Sequence, residues 1–340
     1  MDKKSKADLF EELNQLHIQK LFSKKYYHIF INFFRCYEAE MDKAHIPESN
    51  YLPLFFTFLQ LVKNELLHPH EFLPYHKKIR SPFDHYQFGI DFLKPLVDKS
   101  SSKVRGLENV KKMVDQLNQN ENVILFANHQ TESDPQAISI LLENSYPEFA
   151  SQIILVAGER VISDLFALPI SLGCDLLCIY SKKYLDTQPE LKEQRQQHNK
   201  KTMELMSRLL SEGGKVIFMA PSGGRDRPNK QGVIEVAPFD SKSIEMFYLM
   251  AKKGGKTSHF YPLALATYSL LPPPDTLQLE MGEHRRTQRG SIHIGFGPEI
   301  DMEHFSSAPV IDKMEKRKLR AEYIHSLVKK EYEALLGDSK

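Results

Sequence analysis

The sequence predicts an α/β protein in which a mixed, largely parallel sheet is flanked by helices and preceded by a smaller helical bundle. The first observation is that residues 7–80 contain no glycine and carry apolar residues at helical spacing, as at Phe30 and Phe33. The second is that short apolar runs then alternate with amphipathic helices, which is typical of layered α/β proteins. We therefore predict a helical bundle over residues 1–82 and an α/β domain over residues 83–340.

The pair Ser81-Pro82 breaks the helical pattern, and a further helix is expected through Phe88 and Phe92. Five apolar runs are predicted as strands, over residues 123–127, 153–157, 176–179, 216–219 and 260–266. Helices are predicted over residues 135–143, 190–210, 241–253 and 311–336, and half-exposed strands over residues 276–281 and 291–296. The alternation of strands with helices is the reason for expecting parallel pairing.

The overall charge excludes one class of function. The 45 Lys and Arg residues nearly balance the 44 Asp and Glu residues, and the net charge is +1. Such a chain has no global field to attract a polyanion, so we expect no nucleic-acid partner and only local phosphate binding. The three cysteines are too few for a disulfide framework, which indicates a reducing compartment.

The hydrophobic runs are too short to span a bilayer, so no transmembrane segment is expected. Residues 1–13 mix lysines with aspartates and glutamates, unlike a signal peptide or an acid-poor transit peptide. We expect a cytoplasmic location, with the plastid stroma as the alternative for a mature form.

The first candidate motif follows the predicted strand 123–127 directly and runs Asn-His-Gln-Thr-Glu-Ser-Asp, from Asn128 to Asp134. The carboxyl ends of strands in open α/β sheets are where ligands bind. In the functional interpretation Asp134 accepts a hydrogen bond from His129, whose other ring nitrogen takes a proton from a hydroxyl. An alternative stays open, in which Ser133 or Asp134 only caps the next helix and Gln136 closes a capping box with Ser133.

The second candidate motif runs from Ala220 to Pro228, again directly after a predicted strand. Its small residues Ser222, Gly223 and Gly224 form a turn with available backbone N–H groups, and two arginines follow. Arg225 and Arg227 offer planar forks suited to a phosphate. The alternative is a solvated loop in which one of these arginines pairs with Asp226.

A third basic element, with Lys182, Lys183 and Tyr184, follows the predicted strand 176–179. Three loops should therefore meet at one edge of the sheet, one with a base and two with positive charge. That arrangement predicts an enzyme that holds a phosphorylated alcohol and removes a proton from its hydroxyl. No serine or cysteine has an evident activated setting, which favours direct transfer without a covalent intermediate.

Together, the three motifs and Tyr-Pro-Leu-Ala-Leu from Tyr261 resemble the soluble glycerol-3-phosphate acyltransferases of plastids and some bacteria, within the H-x4-D acyltransferase group. The resemblance covers residues 85–300. It implies a glycerolipid acyltransferase-like fold and transfer of a fatty acyl group from a thioester of acyl carrier protein or coenzyme A. The acceptor it implies is the sn-1 hydroxyl of glycerol 3-phosphate, and the product is lysophosphatidate.

The resemblance also implies roles for single residues. The reaction that it implies needs no metal or bound cofactor. It assigns the base to His129 and the orienting carboxylate to Asp134. It places the phosphate on Lys183, Arg225 and Arg227, with Lys182, Ser222, Gly223 and Gly224 in supporting positions. Tyr184 departs from the pattern, because a histidine is usual there and a tyrosine donates a hydrogen bond without carrying charge.

Two other functions remain compatible with the sequence. An enzyme of the same group could use lysophosphatidate as the acceptor, and a noncatalytic module could bind phosphorylated ligands. Peripheral contact with a membrane is left open for delivery of the product. The apolar segment 161–172 is a candidate wall for the acyl chain, with ordinary core packing as the alternative.

Overall fold

The computed structural model describes residues 4–181, 189–274, 282–305 and 312–337. The helices are α1 (Lys6–Ile18), α2 (Lys24–Lys43), α3 (Leu52–Leu67), α4 (His85–Leu93), α5 (Leu107–Asn118), α6 (Asp134–Leu142), α7 (Pro147–Gln152), α8 (Arg160–Ser163), α9 (Leu168–Ser171), α10 (Lys192–Glu212), α11 (Ser241–Lys253) and α12 (Lys313–Gly337). The strands are β1 (Tyr75–His76), β2 (Lys103–Arg105), β3 (Asn122–Ala127), β4 (Ile154–Gly158), β5 (Asp175–Ile179), β6 (Val216–Met219), β7 (Arg227–Pro228), β8 (Ile234–Glu235), β9 (Ser258–Ala266) and β10 (His293–Phe296).

Eight of these strands form one sheet in the order β1-β5-β4-β6-β3-β9-β10-β2. The four pairings along the stretch β5-β4-β6-β3-β9 are parallel, and so is the pairing of β10 with β2. The pairings of β1 with β5 and of β9 with β10 are antiparallel. Every residue of the central strand β3 is buried, as expected for a strand covered by helices on both faces. The prediction of a mixed, largely parallel sheet is confirmed.

The predicted strands and helices of the α/β part that fall within the described residues are present with small shifts at their ends. Residues 216–219 and 241–253 match β6 and α11 without a shift, and β9 begins two residues before the predicted start. The final helix begins at Lys313 rather than at residue 311. The strand predicted over residues 276–281 lies outside the described residues.

The helical prediction for residues 7–80 is correct only as far as α3, which ends at Leu67. Pro69 and Pro74 follow closely, and a proline removes a helical hydrogen bond and restricts the residue before it. Tyr75 and His76 instead pair antiparallel with β5 and form an edge of the main sheet. Part of the region predicted as helix therefore belongs to the sheet.

The helices α1 to α3 pack around a cluster of aromatic rings that continues into the rest of the protein. Phe30 and Phe58 lie 6.1 Å apart between ring centroids, and Phe166, which follows α8, stacks on Phe58 at 5.8 Å. Leu270 and Ile292, much later in the chain, are buried in the same cluster. The boundary at residue 82 stays a prediction, but the apolar core spans it.

The apolar segment 161–172 lies mainly in the interior. Leu165 and Phe166 are buried in the cluster with α1 to α3, whereas Ile162 and Leu168 are buried beneath the sheet. Core packing therefore accounts for these four side chains, which leaves them unavailable as an open wall for an acyl chain.

Candidate active site

The candidate site lies at the carboxyl end of the central strands. The loop that begins at Asn128 follows β3, the loop that begins at Ala220 follows β6, and Thr267 follows β9. Because β3 pairs in parallel with both β6 and β9, all three segments leave the sheet at the same edge. We call residues 128–134 the histidine loop and residues 220–228 the phosphate loop.

His129 and Asp134 form the hydrogen bond that the sequence predicts. His129 Nδ1 lies 2.7 Å from Asp134 Oδ2. The histidine side chain is 32% exposed and the aspartate side chain 1% exposed. His129 Nε2 makes no hydrogen bond to any residue in the described parts of the chain, so this nitrogen is left open on a partly exposed side chain.

Asp134 is held by groups other than the histidine. Its carboxylate accepts hydrogen bonds from the backbone N–H groups of Gln130 at 2.9 Å and Thr131 at 3.2 Å. The Thr267 hydroxyl donates to Asp134 Oδ1 at 2.6 Å and ties the carboxylate to the end of β9. A carboxylate fixed at both oxygens sets the direction from which it accepts the imidazole N–H.

The capping alternative for this motif is wrong in its predicted form. Ser133 occupies the N-cap position of α6 but its side chain makes no capping hydrogen bond. Gln136 donates to the carbonyl oxygen of Ile170 rather than closing a box with Ser133. Asp134 is the first residue of α6, and its carboxylate faces back over the histidine loop.

Asp226 joins the two loops and is fully buried. Its backbone N–H donates to the carbonyl oxygen of His129 at 2.6 Å. Its carboxylate accepts from Asn128 Nδ2 at 2.7 Å, Gln130 Nε2 at 3.3 Å and the Ala237 N–H at 2.9 Å. Burial raises the pKa of Asp226, and these hydrogen bonds oppose the rise.

The arginines of the phosphate loop have partners other than Asp226. Arg225 Nη2 donates to Glu283 Oε2 at 2.7 Å. Arg227 donates to the carbonyl oxygen of Pro274. The alternative in which either arginine pairs with Asp226 is therefore wrong, and both side chains are half-buried at the site edge.

The small residues of the phosphate loop shape its turn. Gly223 has φ +64°, in the left-handed region that glycine adopts at least cost. The Ser222 hydroxyl donates to the carbonyl oxygen of Gly224 at 2.8 Å within the same turn. The Ser222 contact fits a loop-shaping role rather than that of an activated nucleophile.

Lys182, Lys183 and Tyr184 lie outside the described residues, so their predicted roles stay predictions. The chain that leads to them is well anchored at Tyr180. Asn199 of α10 accepts from the Tyr180 N–H at 2.7 Å and donates to its carbonyl oxygen at 2.9 Å.

Cys174, which directly precedes β5, and Cys178, which lies within it, are poorly suited to nucleophilic attack. Burial raises the pKa of both Cys174 and Cys178 to about 12. Their thiols therefore stay protonated near neutral pH, whereas the thiolate is the reactive form.

A buried group of charges lies beside the site, and no sequence pattern indicates it. Arg285 Nε and Nη2 donate to both carboxylate oxygens of Glu132, at 2.5 and 3.0 Å. Arg285 also pairs with Asp164 at 2.8 Å. These partners lie more than 100 positions from Arg285, and no local spacing could have connected them.

The described residues contain neither a membrane-spanning helix nor a cluster of metal ligands. No helix in these parts of the chain is long and apolar enough to cross a membrane. No group of three or more His, Cys, Asp or Glu residues among them is placed to hold a metal ion.

The His–Asp pair and the strands around it lie within residues 101–266, which match the family model described as acyltransferase. The particular relatives are plant enzymes. The chain is 36% identical to the chloroplastic glycerol-3-phosphate acyltransferase of Arabidopsis thaliana, over 78% of this chain and 58% of that protein. It is 37% identical to that of Pisum sativum, over 80% of this chain and 60% of that protein.

A third relative is the chloroplastic glycerol-3-phosphate acyltransferase ATS12 of Cucurbita moschata, 40% identical over 70% of this chain and 52% of that protein. The resemblance inferred from the motifs is confirmed by these matches. The chain spans between 52% and 60% of the length of these three relatives.

Proposed function

We propose that this protein transfers a fatty acyl group from an acyl thioester to the sn-1 hydroxyl of glycerol 3-phosphate and forms lysophosphatidate. The observation that carries the proposal is the 2.7 Å bond from His129 Nδ1 to Asp134, which leaves His129 Nε2 to act as a base at the sheet edge. The relatives named glycerol-3-phosphate acyltransferase supply the acceptor.

His129 serves as the general base in this proposal. Its Nε2 takes the proton of the acceptor hydroxyl while the oxygen attacks the thioester carbonyl, and Asp134 stabilises the imidazolium that forms. The tetrahedral intermediate then breaks its C–S bond, and the imidazolium returns the proton to the departing thiolate. General base catalysis of this kind contributes roughly 10²–10⁴-fold to a rate.

Arg225 and Arg227 hold the acceptor phosphate in this proposal, together with Lys183 and the uncharged donor Tyr184. A guanidinium fork matches two phosphate oxygens at once. The contact between Arg225 and Glu283 uses one N–H group of the five that a guanidinium carries. An acceptor whose phosphate binds the phosphate loop would have its glycerol hydroxyl next to the histidine loop, because Asp226 links the two loops by a hydrogen bond.

The donor is a fatty acyl thioester, and either acyl carrier protein or coenzyme A fits the basic loops, because both are polyanions. The raised pKa of the Cys174 and Cys178 thiols supports direct transfer to the acceptor. The chloroplastic relatives favour the plastid stroma over the bacterial cytoplasm as the location.

The test measures thiol release and lysophosphatidate formation with glycerol 3-phosphate and an oleoyl or palmitoyl thioester of each carrier. Release that depends on the acceptor in the wild type is expected. If thioester is consumed only when lysophosphatidate is added, the acceptor is lysophosphatidate rather than glycerol 3-phosphate. No transfer with either acceptor and either donor would favour the phosphate-binding module.

A further inference from the structure

Residues 282–289 form an irregular segment that buries charged side chains, and we call it the bridging segment. Glu283 is 8% exposed and Arg285 is 6% exposed, although neither lies in a helix or strand. Removing a charge from water costs several kcal/mol per ion unless the charge is well paired. The side chains that pair with Glu283 and Arg285 therefore identify the parts of the protein that the bridging segment contacts.

Arg285 is bound to the histidine loop through Glu132. Its Nε and Nη2 atoms reach the two oxygens of the Glu132 carboxylate at 2.5 and 3.0 Å. Glu132 lies three residues after His129 and two before Asp134. A two-point contact between planar groups fixes orientation as well as distance, so Arg285 restrains the part of the loop between base and carboxylate.

The other contacts of Arg285 hold it in one place. Its Nη2 donates to Asp164 Oδ1 at 2.8 Å, and its Nη1 donates to the carbonyl oxygen of Glu283 at 3.1 Å. Asp164 Oδ2 accepts from the Gly282 N–H at 3.1 Å and so binds the same segment twice. Burial would lower the pKa of Arg285, but Glu132 and Asp164 outweigh it and raise the pKa, so the guanidinium is always charged.

The bridging segment also reaches the phosphate loop. The Glu283 carboxylate accepts from Arg225 Nη2 at 2.7 Å, and Arg160 Nη1 lies 3.9 Å from the same oxygen. Among the described residues the group thus contains three arginines and three carboxylates whose charges balance. Glu283 and Arg285 therefore bind the two loops that carry the proposed base and the proposed phosphate ligand.

We propose that Arg285 is a positioning residue that holds the histidine loop in register with Arg225, so that the hydroxyl of a phosphate-bound acceptor meets His129 Nε2. This inference rests on the proposed function. Displacement of a reacting group by about 1 Å can cost on the order of 100-fold in rate even when binding persists. Loss of the Arg285 contact should therefore lower kcat more than it changes KM.

The test uses Arg285→Lys, which keeps the charge but removes the two-point contact with Glu132. Arg320→Lys is a matched control, because Arg320 is also buried, pairs with Glu245 and lies 4.4 Å from the Tyr248 ring centroid, away from both loops. Melting temperature, kcat and KM for glycerol 3-phosphate are measured for both. Arg285→Lys is expected to lose on the order of 100-fold in kcat with KM within about threefold, and Arg320→Lys to keep kcat.

Glu132→Gln and the double variant Glu132→Gln/Arg285→Lys keep the inference testable if Arg285→Lys folds poorly. The Glu132 side chain is 25% exposed, so this change disturbs the interior less. If both substitutions break the same contact, the double variant loses no more kcat than the more impaired single variant. Additive losses, or equal losses of kcat in the Arg285 and Arg320 variants, would overturn the positioning role.

The wild-type rates separate this inference from the proposed function. A wild type that transfers no acyl group to glycerol 3-phosphate refutes the proposed function. If the same protein acylates lysophosphatidate, the variants are compared with that acceptor, and the split between kcat and KM decides the positioning role by the same criteria. An active wild type with an unaltered kcat in Arg285→Lys refutes the positioning role alone.

Discussion

Two histidines lie at opposite ends of the same central strands, and their carboxylate partners differ in number. His129, after β3, meets one carboxylate through Nδ1 at 2.7 Å. His259, near the start of β9, meets Glu299 through Nδ1 at 2.6 Å and Glu121 through Nε2 at 2.8 Å. Both ring nitrogens of His259 therefore contact carboxylate oxygens, and neither is left open for a substrate.

The comparison shows that a carboxylate beside a histidine does not by itself make a base. One partner orients the ring and leaves its second nitrogen open, whereas two partners occupy both nitrogens and give the ring a structural role. The end of the sheet matters as well, because ligands in open α/β proteins bind at the carboxyl ends of the strands. Substitutions of His129 should therefore mainly lower kcat, whereas substitutions of His259 should mainly lower the free energy of unfolding.

The largest effect is expected for His129→Ala. Loss of the base should lower kcat by roughly 10²–10⁴-fold and leave KM for glycerol 3-phosphate nearly unchanged, since the phosphate ligands remain. The melting temperature should change little, because the His129 side chain is partly exposed. Steady-state kinetics beside His259→Ala tests this, and near-normal turnover in His129→Ala would rule out His129 as the base.

Asp134→Asn should come next, with a loss of kcat of about 10²–10³-fold, because an amide cannot orient the ring and stabilise its cation as a carboxylate does. It should also lower the melting temperature, since the carboxylate accepts from Gln130, Thr131 and Thr267. Thermal unfolding and kinetics are measured together. A loss of stability with unchanged turnover would reduce Asp134 to a structural residue.

Arg225→Lys should mainly raise KM for glycerol 3-phosphate. The loss of a charge-assisted hydrogen bond costs about 1.5–3 kcal/mol, which corresponds to roughly 10–150-fold in affinity. The exposed Arg208 of α10 provides a control substitution with the same change of side chain. An equal KM in the two variants would remove Arg225 from the phosphate site.

His259→Gln tests the other end of the comparison. It should lower the free energy of unfolding by about 1–3 kcal/mol, because Glu121 and Glu299 lose the ring that bridges them. The kcat should stay within about twofold of the wild type, as expected for a substitution remote from the reacting groups. Urea unfolding and kinetics measure the two quantities, and a large loss of kcat would mean that the two ends are coupled.

The smallest effect concerns acid stability and Glu299. Burial would raise the pKa of Glu299, but Lys112 and His259 outweigh it and lower the pKa below its ordinary value of 4.5. The contribution of this group is therefore fully present above about pH 4.5 and is lost as the pH falls through the lowered pKa. Glu299→Gln should make the free energy of unfolding less dependent on pH in that acid range, which urea titrations at several pH values can measure.

The sequence predicted those parts of the site that local patterns encode. The apolar runs of β3 and β6 located the sheet edge, and His129 with Asp134 fell within one seven-residue loop. The two-residue strand β1 was missed because a pattern that short is indistinguishable from a loop, and it exists only by pairing with β5. Local spacing also suggested a helix cap at Ser133. In the structure the neighbouring Asp134 carboxylate instead accepts hydrogen bonds from Thr267 and from the backbone of the histidine loop.

Long-range contacts in irregular chain lay beyond such reasoning. Arg285 stands in a polar stretch with no periodicity, and its partner Glu132 is 153 positions away. Nothing in either neighbourhood indicates that the two meet. Buried charge pairs of this kind depend on the completed tertiary structure rather than on propensity.

The shared aromatic core has a consequence for the order in which the protein is made. The helices α1 to α3 are synthesised first, yet Phe166, Leu270 and Ile292 complete the cluster that covers them. Ribosomes add about 5–20 residues per second, so the roughly 200 residues between α3 and Leu270 take about 10–40 s to emerge. During that interval the phenylalanines of these three helices lack part of their final covering, and exposed apolar surface of this kind promotes aggregation.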